Sequence, residues 1–302
     1  MNDYLAEWCV DGPVMWVISS ISCVLVVILL VVNICKFGFS KANLYGIMVP
    51  TVSILGLIFV QGDYIENHVR YSPSEWINNL RDFSRGYAFK FFRHFFPFHI
   101  DIVIVLDGIN RYIFICHPDH VEHALKWNAL VAIQGGTILL TGTFSFLTTK
   151  MEKDVLSDDY FLLRDLSSTW AYNVALKTIV HTLSSLFFIF FTIRICTTLK
   201  KAAAFLRLSS STAAHAVKYD RIITFSKVIC IIVISFNFCL ENAGSGLIIS
   251  DYRNRYNMIK FIPVNLHSWQ TQTYAHKIVK AVLHSKHGFY AMAYLWLKLG
   301  QK

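Results

Sequence analysis

Long apolar runs separated by short charged stretches set the pattern of this chain. Val14 to Cys35 carries no charge across 22 residues and stops at Lys36, and Ala42 to Gly62 is again free of charge, with Pro50 inside it. A helix rises about 1.5 Å per residue, so about 20 apolar residues cross a bilayer core of roughly 30 Å. The pattern predicts membrane-length helices at 14–35, 42–62, 87–116, 127–149, 172–195, 228–250 and 280–299. The third carries Lys90, Arg93 and His94 near its start and Asp101 and Asp107 deeper, and the last carries His284, Lys286 and His287. These two have the weakest apolar character. The connectors are too short for a separate soluble domain, so residues 1–302 read as one domain. No internal repeat of the kind common in secondary transporters is visible.

Composition agrees with the pattern. The chain is 55% hydrophobic and 16% charged, with a mean hydropathy of +0.47, whereas soluble domains carry roughly a quarter charged residues. The net charge is +9, and in such a chain excess Lys and Arg points to inner loops facing anionic lipid. No long basic stretch stands apart from the apolar ones, so nucleic acid is not an expected partner. Seven cysteines without a CxxC spacing offer no disulfide framework or zinc ribbon.

Charge also sets an orientation. The tail 1–13 is acidic (Asp3, Glu7, Asp11), unlike the basic start of a signal peptide, and Lys36 and Lys41 follow the first span. This places the N-terminus outside. Lys150 to Asp165, with five acids and three bases, is then an outer loop. Arg194 to Lys227, with seven bases and the single acid Asp220, is an inner loop. Asp251 to Lys280, with five bases and one acid, fits its expected outer position poorly.

The string most charged with meaning is Leu106 to Pro118, LDGINRYIFICHP. Asn110-Arg111-Tyr112 closes the third span on the expected inner side, and Cys116-His117-Pro118 follows. It resembles the Asp-Arg-Tyr signature of rhodopsin-like G-protein-coupled receptors. Asn33 in VVNIC resembles the first-span Asn of that family. Several companions are missing: Ser53 stands nearest the sodium-binding Asp, no outer disulfide can form, and the Cys-Trp-x-Pro and Asn-Pro-x-x-Tyr motifs are absent. These losses, together with Lys218-Tyr219-Asp220-Arg221 before the sixth span, resemble the nematode serpentine chemoreceptors of the gamma and V classes.

The resemblance implies an all-α membrane protein, a seven-transmembrane helix bundle with the C-terminus inside, that passes an extracellular signal to a heterotrimeric G protein without catalysis or cofactor. It also implies the plasma membrane of a sensory cell, in nematodes the ciliary membrane. Asn110, Arg111, Tyr112 and Pro118 then form the coupling switch. With Asn110 in place of the acid, the neighbouring ion pair of the family cannot form. Arg93 lies 18 residues before Arg111, five helical turns away on the same face. This suggests a pocket for a small-molecule or peptide ligand around Lys90, Arg93 and His94. Asp101 and Glu241, ionisable residues at membrane depth, are further pocket candidates by default.

Two other classes compete. Asp101, Glu241 and Lys280 could line the path of a transporter or channel. His117, His120 and His123, at i, i+3 and i+6, could share a metal in a membrane metalloenzyme, although only His284 and His287 offer a second short pair.

Overall fold

A computed structural model describes residues 13–40, 43–68, 86–156, 163–207, 213–240, 242–244, 246 and 266–299. With no water in a bilayer core, backbone polar groups must be satisfied within the segment, and helices do this. The described residues are accordingly helical almost throughout. The long helices are α1 (Pro13–Phe37), α2 (Leu44–His68), α3 (Tyr87–Cys116), α4 (Trp127–Leu156), α5 (Leu163–Arg207), α6 (Ala213–Val233) and α7 (Leu266–Leu299). α6 continues into a π turn over Ile234–Leu240. His117 ends α3, and Pro118–His120 and Val121–Ala124 add one short turn each before α4.

The helices are built inside out. On α1 the buried line is Ser19, Ser22, Val26, Leu29 and Asn33, while Val17, Ile21, Val24, Ile28 and Val31 face outward. On α4, Thr141, Ser145 and Thr149 are fully buried, whereas Leu139, Leu140 and Phe146 are exposed. Each of these three hydroxyls donates to the carbonyl one turn earlier, at 2.7 to 2.8 Å. On α5 the buried line is His181, Ser185, Phe188, Thr192, Ile195 and Leu199, with Phe187, Phe190 and Ile193 outside. A soluble protein does not expose apolar surface on this scale. Lipid is the solvent that makes the pattern favourable.

Among the described residues, four stretches are long and apolar enough to cross a membrane: Trp16–Phe37, Trp127–Thr149, Thr178–Leu206 and Ala216–Gly244. α3 and α7 carry more charge.

α3 occupies the middle, against α2, α4 and α5. α1 packs on α2 and α7, and α6 on α5 and α7. Gly108 makes room on α3 for the Phe188 ring of α5; a Cβ there would sit 2.9 Å from the ring. α1 and α2 are clasped where Asn33 Nδ2 donates to the Gly46 carbonyl at 2.6 Å and Asn43 Nδ2 donates to the Asn33 carbonyl at 3.3 Å.

The helix bounds depart from the apolar runs in an instructive way. α3 has the bounds 87–116 drawn from the pattern, and α4 begins at Trp127 as expected. α5 and α6 do not follow it: helix runs on to Arg207 and resumes at Ala213, so most of the expected inner loop Arg194 to Lys227 is helical. Lys200-Lys201-Ala202-Ala203-Ala204 is rich in strong helix formers. Charge ends an apolar run without ending a helix. For the same reason α7 begins at Leu266, well before 280.

Candidate functional site

The charges on α3 and α7 meet each other. Lys286 Nζ donates to Asp101 Oδ1 at 2.9 Å and to Oδ2 at 3.1 Å. Both residues are 3% exposed. His181 Nδ1 of α5 lies 3.4 Å from the same Oδ2. One carboxylate therefore gathers three helices. Beside it on α7, His287 Nδ1 is hydrogen-bonded to Ser53 Oγ of α2 at 3.3 Å. On α3, His99 Nδ1 meets Thr141 Oγ1 of α4 at 3.2 Å. Thr141 already donates its proton to the Thr137 carbonyl, so the histidine N–H donates here. A layer of polar contacts thus ties α3 to α4, α5 and α7, and α2 to α7. Asp101 lies ten residues from Arg111, about 15 Å along α3, or half of a bilayer core.

A second assembly surrounds Arg111. Its Nη2 is 2.7 Å from Asp107 Oδ2, one turn earlier on α3. Tyr294 of α7 donates its hydroxyl proton to the same oxygen. The guanidinium also sits 4.7 Å from the Phe225 ring centroid of α6 and 4.9 Å from that of Tyr294, close enough for cation–π attraction. Arg111 thereby holds α3, α6 and α7 together, while its side chain keeps 26% of its surface exposed.

The ion pair expected to be lost with Asn110 is thus replaced. Asp107 supplies the acid from position i−4, where helix geometry brings the two side chains together.

Of the other sequence candidates, Tyr112 is half-buried against Phe190 and Phe191 of α5, and its hydroxyl is 2.9 Å from His117 Nε2. Asn110 is half-buried, and Pro118 is exposed at the start of the turn after α3. Lys90, Arg93 and His94 lie half-buried at the far end of α3. They stand 7 to 11 residues from Asp101, or roughly 10 to 17 Å along the axis. Asp101 itself is engaged in the contact with Lys286 of α7. Glu241 lies outside the described residues. His117 and His120 have ring centroids 6.1 Å apart. Among the described residues, no three His, Cys, Asp or Glu side chains gather closely enough to hold a metal ion.

Sequence reasoning missed Lys286 and His181. Lys286 counted against the last span, yet an ionisable residue at membrane depth calls for a partner at the same depth, and Asp101 was in view. His181 gave no signal beyond being one histidine in an apolar run.

Against known proteins, the chain matches no family model, and no curated protein is significantly similar to it.

Proposed function

We propose that this chain is a chemosensory receptor of seven spans, N-terminus outside, that passes the binding of a small-molecule or peptide ligand to a heterotrimeric G protein. The observation that carries the reading is the caging of Arg111. It is a cation at one end of the central helix, paired to Asp107 and covered by one ring each from α6 and α7. Moving α6 away removes Phe225 and opens the guanidinium to the inner surface. That is a bistable element of the kind a ligand shifts by binding one packing better than the other.

The surroundings suit a protein partner and an anionic leaflet alike. Lys126, Lys200, Lys201, Lys218 and Arg221 are exposed. Cys116 of α3 meets Thr198 of α5 at 3.4 Å, which brings the α5 bases to the end that carries Arg111. By resemblance the setting is the ciliary plasma membrane of a nematode sensory cell.

A transporter or channel is the second reading, favoured by the buried Asp101–Lys286 pair. One experiment separates them. Cells expressing the chain with a second-messenger reporter are challenged with a library of soluble and volatile small molecules. A response that disappears in Arg111→Ala at unchanged surface expression supports the receptor. Solute flux that survives Arg111→Ala, with no second-messenger response, supports the transporter.

A further inference from the structure

The π turn of α6 holds a polar group whose bonding capacity is unspent. Asn237 is 1% exposed, and neither its Nδ2 nor its Oδ1 has a hydrogen-bond partner among the described residues. The Tyr290 hydroxyl of α7, in a side chain 2% exposed, is likewise without one. The Phe236 and Phe289 rings, each one residue before these two, lie 5.6 Å apart. Asn237 and Tyr290 each follow a member of this ring contact, on two elements that pack together. Tyr290 is one helical turn beyond Lys286. π turns recur at functional sites, and buried polar groups in native proteins are almost always satisfied.

We propose that Asn237 and Tyr290 form a binding site, between the π turn and α7, for an uncharged small molecule that carries an amide, carbonyl or hydroxyl on an apolar body. The carboxamide offers two donors and an acceptor oxygen, and the phenol one of each. A primary amide can satisfy both edges of Asn237 at once. The charge of the ligand follows from the neighbours. Lys286 already holds both oxygens of Asp101, so the set has no spare charge. A second ion brought there would be desolvated without a counter-ion. The buried Phe236, next to Asn237 on the π turn, is the adjoining apolar surface. As the signalling ligand of a receptor this assignment rests on the reading above; the binding itself does not.

The test is binding without signalling. The full-length protein in lipid nanodiscs is unfolded thermally with hexanamide, 1-hexanol, hexanoate or hexylammonium at equal concentration. Hexanamide is expected to raise the midpoint by about 2 °C or more, the size of shift that selective binding to the folded state produces. Hexanol should do so less, and the two ions not at all. The hexanamide shift should disappear in Asn237→Leu and fall in Tyr290→Phe. Without any probe, Asn237→Leu should unfold at or above the parent temperature, since it removes an unsatisfied buried amide. The proposal is overturned by an absent hexanamide shift, by one kept in both variants, or by ions acting as well as the amide. A lower midpoint for probe-free Asn237→Leu also overturns it, because the amide is then satisfied by a structural water.

Discussion

Lys286→Met should destabilise the folded protein by about 3–5 kcal/mol, the cost of leaving one member of a buried ion pair without its partner. The Asp101 carboxylate is 3% exposed, and water cannot replace the ammonium at that depth. His181 Nδ1 remains 3.4 Å away, farther than the two bonds of 2.9 and 3.1 Å that Lys286 supplies. Asp101→Asn should cost a similar amount by stranding the ammonium. The double variant Asp101→Asn/Lys286→Met should recover most of either loss, since a buried pair replaced as a whole is often tolerated. Unfolding of all four proteins in nanodiscs, compared as a double-mutant cycle, measures the coupling. Single losses that simply add in the double variant would show that the two residues do not stabilise one another.

The second large effect concerns Asp107. Asp107→Asn removes the anion that holds Arg111 and weakens the acceptor of the Tyr294 hydroxyl. Arg111 is partly exposed, so the lost stability is smaller than at Lys286, about 1–2 kcal/mol. On the receptor reading, that energy biases the equilibrium between closed and open inner ends by about 5- to 30-fold. Ligand-independent G-protein activation, read as nucleotide exchange on membranes at matched expression, should therefore rise several-fold. Unchanged or lower basal exchange in Asp107→Asn would mean that the pair does not hold the closed state.

How much of this was legible in the residues depends on whether the deciding contact is local. The apolar runs marked α1, α2 and α4 because lipid exposure writes itself into composition. The Asp107–Arg111 contact was also open to reading, since it follows from i,i+4 spacing on one helix. The ends of α5 and α6 were hidden, because Lys and Arg interrupt hydropathy while favouring helix. The Asp101–Lys286 pair spans 185 residues of sequence, and no local pattern announces which two of several charges share a depth. Lys286 alone looked like a reason to doubt α7; with Asp101 beside it, the charge is accounted for. The unsatisfied amide of Asn237 is the least legible feature, since it depends on what three helices fail to provide.

On the proposed receptor reading, seven crossings put the two ends of the chain on opposite faces of the bilayer, with Lys286 and Asp101 near its middle. Compartment-specific reporters fused before Met1 and after Lys302 test this in one measurement. The expected result is an N-terminal reporter outside and a C-terminal reporter inside. Both reporters on the same side would contradict the seven-span bundle and, with it, the receptor built on Arg111.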